Sequence, residues 1–289
     1  MKLDLIYTVT EDKLRLPGIL YSPSSSTDTC LLIVHGMSGN ILENYWGDVL
    51  GRTLAKNGIA CIYSHNRGYG MVSDPVVLGK TRGAYDRLKA GTVYERYIGC
   101  VPDITAWVNT AKNLGYNKII LLGHSLGCSK SVKYLHVRKS HSISALVLAS
   151  AADMVGNGKS DPDFSRLFSE AQENVKSGHP EKLVSKKIWD WYYLSSQTFL
   201  DLFTEGGDVD NLPILRNPEV FPEVASIKVS ILNLVGEFDD IFMHSREKIW
   251  KFSNPKPSSV LRLPTRLYLG QITTMKTRKK NFQVQFWNG

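Results

Sequence analysis

One short stretch limits the possible fold of this chain more than any other. Residues 117–130 read Asn-Lys-Ile-Ile-Leu-Leu-Gly-His-Ser-Leu-Gly-Cys-Ser-Lys. The apolar run at 119–122 predicts a buried strand, and residues 129–138 can be helical. Between them, Ser125 stands two residues from a glycine on either side. Such glycines allow a sharp strand-to-helix turn, in which strand and helix pass close together and the serine is exposed.

The position of Ser125 predicts a nucleophile. Its hydroxyl would lie at a helix N-terminus, where backbone N–H groups can stabilise a developing oxyanion. The alternative interpretation is a glycine-rich turn with an inactive serine. The strand-turn-helix context favours the nucleophile over this alternative.

Elsewhere, apolar runs alternate with helical patterns. Buried strands are predicted at 30–34, 59–63, 119–122, 144–150 and 227–235, a last strand at 258–263, helices at 41–57, 99–114, 129–138 and 244–252, and two edge strands at 3–9 and 16–21. Strands that are apolar throughout and alternate with helices indicate a mostly parallel sheet covered on both faces. The predicted class is therefore an α/β fold.

The alternation breaks between residues 153 and 223, where aromatic residues, prolines and short helical patches occur. We interpret this segment as a helical cap inserted between core residues 1–152 and 224–289. Two interpretations of its aromatic residues stay open. They either pack the cap onto the core or line an apolar substrate pocket as a lid.

Composition excludes several functional classes. The net charge is +8, but four of the positive charges lie in the tail. The chain has no basic stripe with interleaved aromatics, so nucleic-acid binding is not predicted. The sequence contains no run of 18 apolar residues, so a membrane span is not predicted. Residues 1–7 lack the apolar segment of a signal peptide. The four cysteines are single and show no metal-ligand spacing, so we expect free thiols in the cytoplasm.

Four short motifs together resemble the α/β-hydrolase superfamily over nearly the whole chain. They are His35-Gly36-Met37-Ser38-Gly39, Asn66-Arg67-Gly68, Gly123-His124-Ser125-Leu126-Gly127 and Gly236-Glu237-Phe238-Asp239. A narrower resemblance, to a microbial branch of serine esterases and aminopeptidase-like hydrolases, comes from residues 91–95 and 103–107. The resemblance implies an α/β-hydrolase fold that acts on a small-molecule acyl substrate without a metal or organic cofactor.

The same resemblance implies roles for individual residues. Ser125 would attack an acyl carbon, and the backbone N–H groups of Met37 and Leu126 would form the oxyanion hole. Asp239 would orient and stabilise a catalytic histidine, with its neighbour Asp240 as the alternative acid. His35 and His124 would support their loops.

The histidine that this arrangement needs is missing. The chain order Ser…Asp…His places it after the last strand, near 265–275, but the last histidine of the chain is His244. His244 could substitute as the base, although it follows Asp239 by only five residues and so lies on a different loop. Without a base, Ser125 stays protonated and activity falls by several orders of magnitude.

The tail at 270–289 suggests one origin for the missing histidine. In one choice of codons, a single T added within the codon of Gln271 changes the tail to GHNYNYENKKEELSSSILEW, a sequence that this protein does not contain. That sequence has a Gly-His turn followed by a capped amphipathic helix, and it contains acids where the actual tail is basic. The hypothesis is that a one-base deletion, natural or in the sequencing, replaced the histidine codon and altered the tail.

Three functions stay open at this point. The first is a serine hydrolase of carboxylic esters. The second is a catalytically impaired hydrolase fold that serves as a binding protein. The third is a peptidase or acyltransferase that uses the same catalytic groups. The acyl specificity and the oligomeric state are not determined by the sequence.

Overall fold

The computed structural model describes residues 1–236 apart from 80, 82, 140 and 141, together with the backbone of residues 283–287. Its strands are β1 (Lys2–Val9), β2 (Arg15–Ser22), β3 (Thr29–Val34), β4 (Ala60–Ser64), β5 (Val76–Leu78), β6 (Tyr85–Arg87), β7 (Lys118–His124), β8 (Ile143–Ala149), β9 (Ser230–Val235) and β10 (Gln283–Trp287). Its α-helices are α1 (Tyr45–Lys56), α2 (Cys100–Asn113), α3 (Leu126–Val137), α4 (Met154–Lys159), α5 (Phe164–Lys176), α6 (Ser196–Phe203) and α7 (Pro222–Ala225).

Within these residues, eight strands form one sheet in the order β1-β2-β4-β3-β7-β8-β9-β10, and β5 and β6 form a separate hairpin. The pairings of β3 with β4 and β7, of β7 with β8, and of β8 with β9 are parallel. The predicted α/β fold with a mostly parallel sheet is therefore confirmed. One detail was wrong, because β2 is not an edge strand. It pairs with β4 as well as with β1.

The far edge of the sheet holds a segment of the tail. β10 pairs antiparallel with β9, from Gln283 opposite Val235 to Trp287 opposite Ile231. The predicted helix at 244–252 and the predicted strand at 258–263 lie outside the described residues.

Helices cover the two faces of the sheet. On one face, α2 and α3 pack on the central strands, and Trp107 of α2 comes so close to Gly18 that a Cβ there would lie 2.5 Å from its ring. On the other face, α1 packs over β2 and β4, with Gly51 against the ring of Tyr21. Helix α3 begins at Leu126, three residues before the predicted start, because the turn at Ser125 leads directly into it.

The segment at 153–223 contains α4, α5, α6 and the first residues of α7, and it builds a small core of its own. Phe164, Phe199 and Phe203 are buried in mutual ring contacts. Leu126, the first residue of α3, belongs to the same buried cluster, so this core lies directly against the serine turn. We call residues 153–223 the cap. Its role as a lid stays a prediction.

Two further observations bear on the composition. Each of the four cysteines is buried. Among the helices of the described residues, none has both the length and the apolar character that a membrane span requires.

Candidate active site

Ser125 lies on a strained turn at the carboxyl end of β7. Its φ and ψ angles are 54° and −125°, a conformation that non-glycine residues rarely adopt. Its backbone N–H donates to Ala149 O at 3.0 Å, which ties the turn to the end of β8. Leu126 is the first residue of α3, so its N–H has no acceptor within the helix and is free for another partner.

The glycines around Ser125 allow three backbone segments to pass within contact of one another. A Cβ on Gly127 would lie 2.1 Å from Val34 O, and one on Gly123 would lie 2.4 Å from Gly127 O. A Cβ on Gly36 would lie 2.9 Å from the Cβ of Ser125 and 3.2 Å from the backbone nitrogen of Leu126. The loop after β3 is therefore packed directly on the serine turn.

His35 fixes the backbone of that loop. Its Nε2 accepts a hydrogen bond from the Asn66 N–H at 3.1 Å, so the proton lies on Nδ1, which donates to Gly36 O at 2.8 Å. In a trans peptide the carbonyl and the next N–H point in opposite directions. By holding the Gly36 carbonyl, His35 also sets the direction of the Met37 N–H.

The same contacts exclude His35 as a base. Both ring nitrogens have backbone partners, and the ring is fully buried. Burial, together with the nearby Lys130 ammonium, holds the pKa of His35 well below its usual range. The neutral tautomer therefore persists over the physiological pH range, and His35 supports the loop as expected.

Two side chains from distant parts of the chain hold Ser38. The Ser38 N–H donates to Oγ1 of the buried Thr92 at 2.6 Å, and the Thr92 hydroxyl donates to Gly68 O at 3.3 Å. The Ser38 hydroxyl lies 3.2 Å from the hydroxyl of Tyr192 in the cap. Ser38 itself has a φ of 50°, so these contacts hold a second strained residue near Ser125.

A buried ion pair lies behind the two loops. Nζ of Lys130, on α3, is 2.6 Å from Oε1 of Glu95 and 3.2 Å from Oδ1 of Asn66, and it has no exposed surface. Burial raises the pKa of Glu95, and the Lys130 ammonium opposes that rise. Gly68 leaves the space for this carboxylate, because a Cβ there would lie 2.0 Å from Glu95 Oε2. The sequence analysis missed this pair, since nothing in the local sequence marks Lys130 as buried.

A base for Ser125 is not found among the described residues. The ring hydrogen bonds of the described histidines go to other groups, and Nε2 of the neighbouring His124 is buried without a partner. The His124 ring packs on Trp46, with ring centroids 4.8 Å apart, and burial lowers its pKa to about 4. Asp239, Asp240, His244 and Gln271 lie outside the described residues.

The cap touches both residues proposed for the oxyanion hole. Leu126 and Met37 pack against its buried core. Next to Tyr192, Trp189 and Asp190 both have positive φ angles, of 53° and 59°. The indole N–H of Trp189 donates to Asn157 O at 2.9 Å, which anchors this turn within the cap.

This chain belongs to the alpha/beta hydrolase fold family, because the sequence profile of that family matches residues 29–191, more than half of the chain. A soluble variant of the monoglyceride lipase of Saccharomyces cerevisiae, in complex with a substrate analog, is 15% identical. The alignment covers 90% of this chain and 84% of the lipase, with a TM-score of 0.58. A hypothetical protein from Pseudomonas aeruginosa is also 15% identical, over 82% of this chain and 78% of that one, with a TM-score of 0.53.

Such low identity establishes the fold alone. The chain spans about half the length of other solved structures of this kind, for example 52% of a carboxyl esterase from Bacillus coagulans and 55% of an alpha/beta hydrolase from a Penicillium species. These two are 14% and 19% identical over 62% of this chain, with TM-scores of 0.43 and 0.44. No curated protein matches the sequence.

Proposed function

We propose that this protein is a serine hydrolase of carboxylic esters and that Ser125 is its nucleophile. The observation that supports this most directly is the strained conformation of Ser125 at the N-terminus of α3, with the Gly36 loop packed on it. Backbone strain of this kind costs about 1–3 kcal/mol and persists where the surroundings impose it, often at active sites.

In the proposed reaction, two backbone N–H groups would stabilise the negative charge that forms when Ser125 attacks the ester. The Ser125 oxygen attacks the acyl carbon, the alcohol leaves, and water then hydrolyses the acyl-enzyme. The negative charge on the tetrahedral oxygen would be stabilised by the N–H groups of Met37 and Leu126, each worth about 3 kcal/mol in the transition state. His35, by holding the Gly36 carbonyl, would be the residue that directs the Met37 donor.

Turnover of a p-nitrophenyl ester is the direct test of this proposal. We expect hydrolysis above the uncatalysed rate, with loss of that excess in Ser125→Ala. Labelling by a fluorophosphonate, followed by mass spectrometry of the modified peptide, identifies the nucleophile independently of turnover. Ser129→Ala is the matched control, because this buried serine lies on the same helix. A label on any residue other than Ser125 would contradict the assignment.

The base is the second part of the proposal, and two sources are open. One is His244, which would act with Asp239 or Asp240. The other is a histidine whose codon was lost at Gln271. If His244 is the base, His244→Gln reduces the ester turnover of this chain by about a thousandfold or more. If the histidine codon was lost, a gene in which one added base restores the reading frame should encode a protein with much higher Ser125-dependent turnover than this chain. Resequencing of the gene would locate the deletion.

A binding protein with a hydrolase fold is the second candidate function. The observation that favours it is the absence of any histidine after residue 244. In that case an ester or its acid product binds, as calorimetry would detect, but Ser125 is neither labelled nor active. A peptidase or acyltransferase would use the same groups and differs in the leaving group or in the acceptor. Turnover of matched ester and amide substrates, with and without an added alcohol acceptor, separates these activities.

A further inference from the structure

The side chain of Asn66 is buried and connects the loop at 35–39 to helix α3. Its Oδ1 accepts from Nζ of Lys130 at 3.2 Å and from the Gly68 N–H at 3.0 Å. Its Nδ2 donates to His35 O at 3.3 Å. An ammonium and a backbone N–H can only donate, so the amide oxygen must face Lys130 and the amide nitrogen must face His35. Lys130 therefore fixes which end of the amide reaches the loop.

Two successive carbonyls precede the Met37 N–H, and both depend on Asn66. The His35 carbonyl accepts from Nδ2 of Asn66. The Gly36 carbonyl accepts from Nδ1 of the His35 ring, whose Nε2 accepts from the backbone N–H of Asn66. The plane of the Gly36 carbonyl also contains the Met37 N–H, so these contacts set its direction. The His35 carbonyl also faces the serine turn, because a Cβ on Gly127 would lie 2.9 Å from it.

Lys130 places the other end of this contact on the helix that carries the proposed nucleophile. It lies on α3, five residues after Ser125. Its ammonium has no exposed surface and lies 2.6 Å from Oε1 of Glu95. Glu95 is three residues after Thr92, whose hydroxyl accepts from the Ser38 N–H. The ion pair therefore joins the nucleophile helix to the segment that supports the oxyanion loop from its other side.

Stability alone does not explain this ion pair. Buried ion pairs can often be replaced by apolar side chains of similar volume without loss of stability, because the charges give up their hydration. What Lys130 and Glu95 add is direction, and backbone donors act on an oxyanion only when held within about 0.5 Å of the productive position. We propose that Asn66 is a positioning residue for the oxyanion hole, where it sets the Met37 N–H relative to Ser125. The ion pair acts through its amide, and the inference rests on the proposed function of Ser125.

Turnover of a p-nitrophenyl ester by the full chain tests the role of Asn66. In Asn66→Ala we expect kcat to fall by about a hundredfold, the effect of displacing a catalytic group by about 1 Å. KM should stay unchanged, because the oxyanion forms only after the substrate has bound. Asn174→Ala is the matched control. This buried asparagine on α5 of the cap also donates from Nδ2, to Ser196 Oγ at 3.0 Å, so its loss should lower stability and leave kcat unchanged.

A double variant, Lys130→Met with Glu95→Met, tests the ion pair and does not depend on whether Asn66→Ala folds. It removes both charges together, so no uncompensated charge is left inside the protein and the fold should be retained. Oδ1 of Asn66 keeps the Gly68 N–H as a partner. We therefore expect a smaller fall in kcat, of about tenfold, equivalent to the loss of one hydrogen bond, again with KM unchanged.

The Met37 amide, observed by NMR, separates this proposal from the proposed function. In Asn66→Ala and in the double variant, its ¹⁵N order parameter should fall from about 0.85 toward about 0.6, but not in Asn174→Ala. If the unaltered chain shows no Ser125-dependent turnover and the order parameter still falls, the proposed function fails and the positioning of Met37 by Asn66 stands. An unchanged order parameter in both variants, or a loss of kcat in Asn66→Ala no larger than in Asn174→Ala, would overturn the proposal.

Discussion

The two loops that meet at Ser125 are held in place by different means. The serine turn is held by backbone, since Gly123 and Gly127 admit close main-chain contacts and the Ser125 N–H bonds to Ala149 O. The loop at 35–39 is held by side chains, among them His35, Thr92 and Tyr192. The supports of the first loop lie within a few residues or on neighbouring strands. Two supports of the second come from 54 and 154 residues away.

This difference predicts how the stability of each loop responds to substitution. Close backbone contacts leave no room for a larger residue, so a change in the serine turn should affect the whole fold. Side-chain supports can be removed one hydrogen bond at a time, so changes around the second loop should be graded and local. The following four experiments compare the two loops in order of decreasing effect.

Gly127→Ala should have the largest effect. Its new Cβ would lie 2.1 Å from Val34 O, so strand and helix must separate, at a cost above about 4 kcal/mol in the free energy of unfolding. Gly178→Ala is the control. Unlike Gly127 it has a positive φ, of 80°, but open space lies around it, so its cost should be only about 1–2 kcal/mol. Urea unfolding compares them, and equal losses would mean that β3 and α3 do not pack as tightly as the structure indicates.

His124 should make the serine turn sensitive to acid. Because burial lowers its pKa from 6.5 to about 4, the unfolded chain binds a proton that the folded chain does not as the pH falls through this range. Stability is therefore lost between about pH 6.5 and pH 4, by up to about 3 kcal/mol from this residue. In His124→Phe this part of the acid loss should disappear from the pH dependence of urea unfolding. The control His179→Gln, at an exposed position, should still lose this stability at acid pH. If His124→Phe loses as much stability between pH 6.5 and pH 4 as the unaltered chain, the His124 ring is not buried in its neutral form.

Thr92→Val should destabilise the second loop to an intermediate degree. The change leaves the Ser38 N–H and the Gly68 carbonyl without their partner at a buried position, at a cost of about 2 kcal/mol. Thr92→Ser keeps the hydroxyl and loses only a methyl group, at about 1 kcal/mol or less. Chemical denaturation measures both variants. The serine variant should also retain any Ser125-dependent ester turnover better than the valine variant. If the valine variant keeps more stability or turnover than the serine variant, the Thr92 hydroxyl does not support this loop.

Tyr192→Phe should have the smallest effect. It removes one hydrogen bond between half-buried hydroxyls, for about 0.5–1 kcal/mol of stability at most. Tyr193→Phe, at an exposed neighbour, should change nothing measurable. Thermal unfolding of the two variants, side by side, shows whether the cap and the loop at 35–39 are coupled. A larger effect for Tyr193 than for Tyr192 would show that they are not.

The same contrast explains what the sequence could predict. The serine turn depends on a pattern of five consecutive residues and on the apolar strand before it. The turn and the strand could therefore be predicted without a structure. The apolar runs likewise gave the strand positions, because strands buried on both faces must be apolar throughout.

The supports of the second loop were not predictable, because they depend on which distant residues the fold brings together. Thr92, Tyr192 and Glu95 have no local signal of their role, and a lysine in a helix is ordinarily expected at the surface. The position of β2 was missed for a similar reason. Its pairing with β4 joins residues 40 to 46 positions apart, from Tyr21 opposite Cys61 to Gly18 opposite Ser64. Amphipathic spacing alone does not distinguish such an inner strand from an edge strand.

The buried pair of Lys130 and Glu95 has a consequence for how this sequence can change over time. Loss of either partner alone leaves an uncompensated charge away from water and costs about 3–5 kcal/mol, whereas joint replacement by apolar residues of similar volume can be neutral. Two folded sequences, one with the ion pair and one without it, are thus separated by single-substitution intermediates that fold poorly. Drift at either position is constrained by the other, so Lys130 and Glu95 should be inherited and lost together.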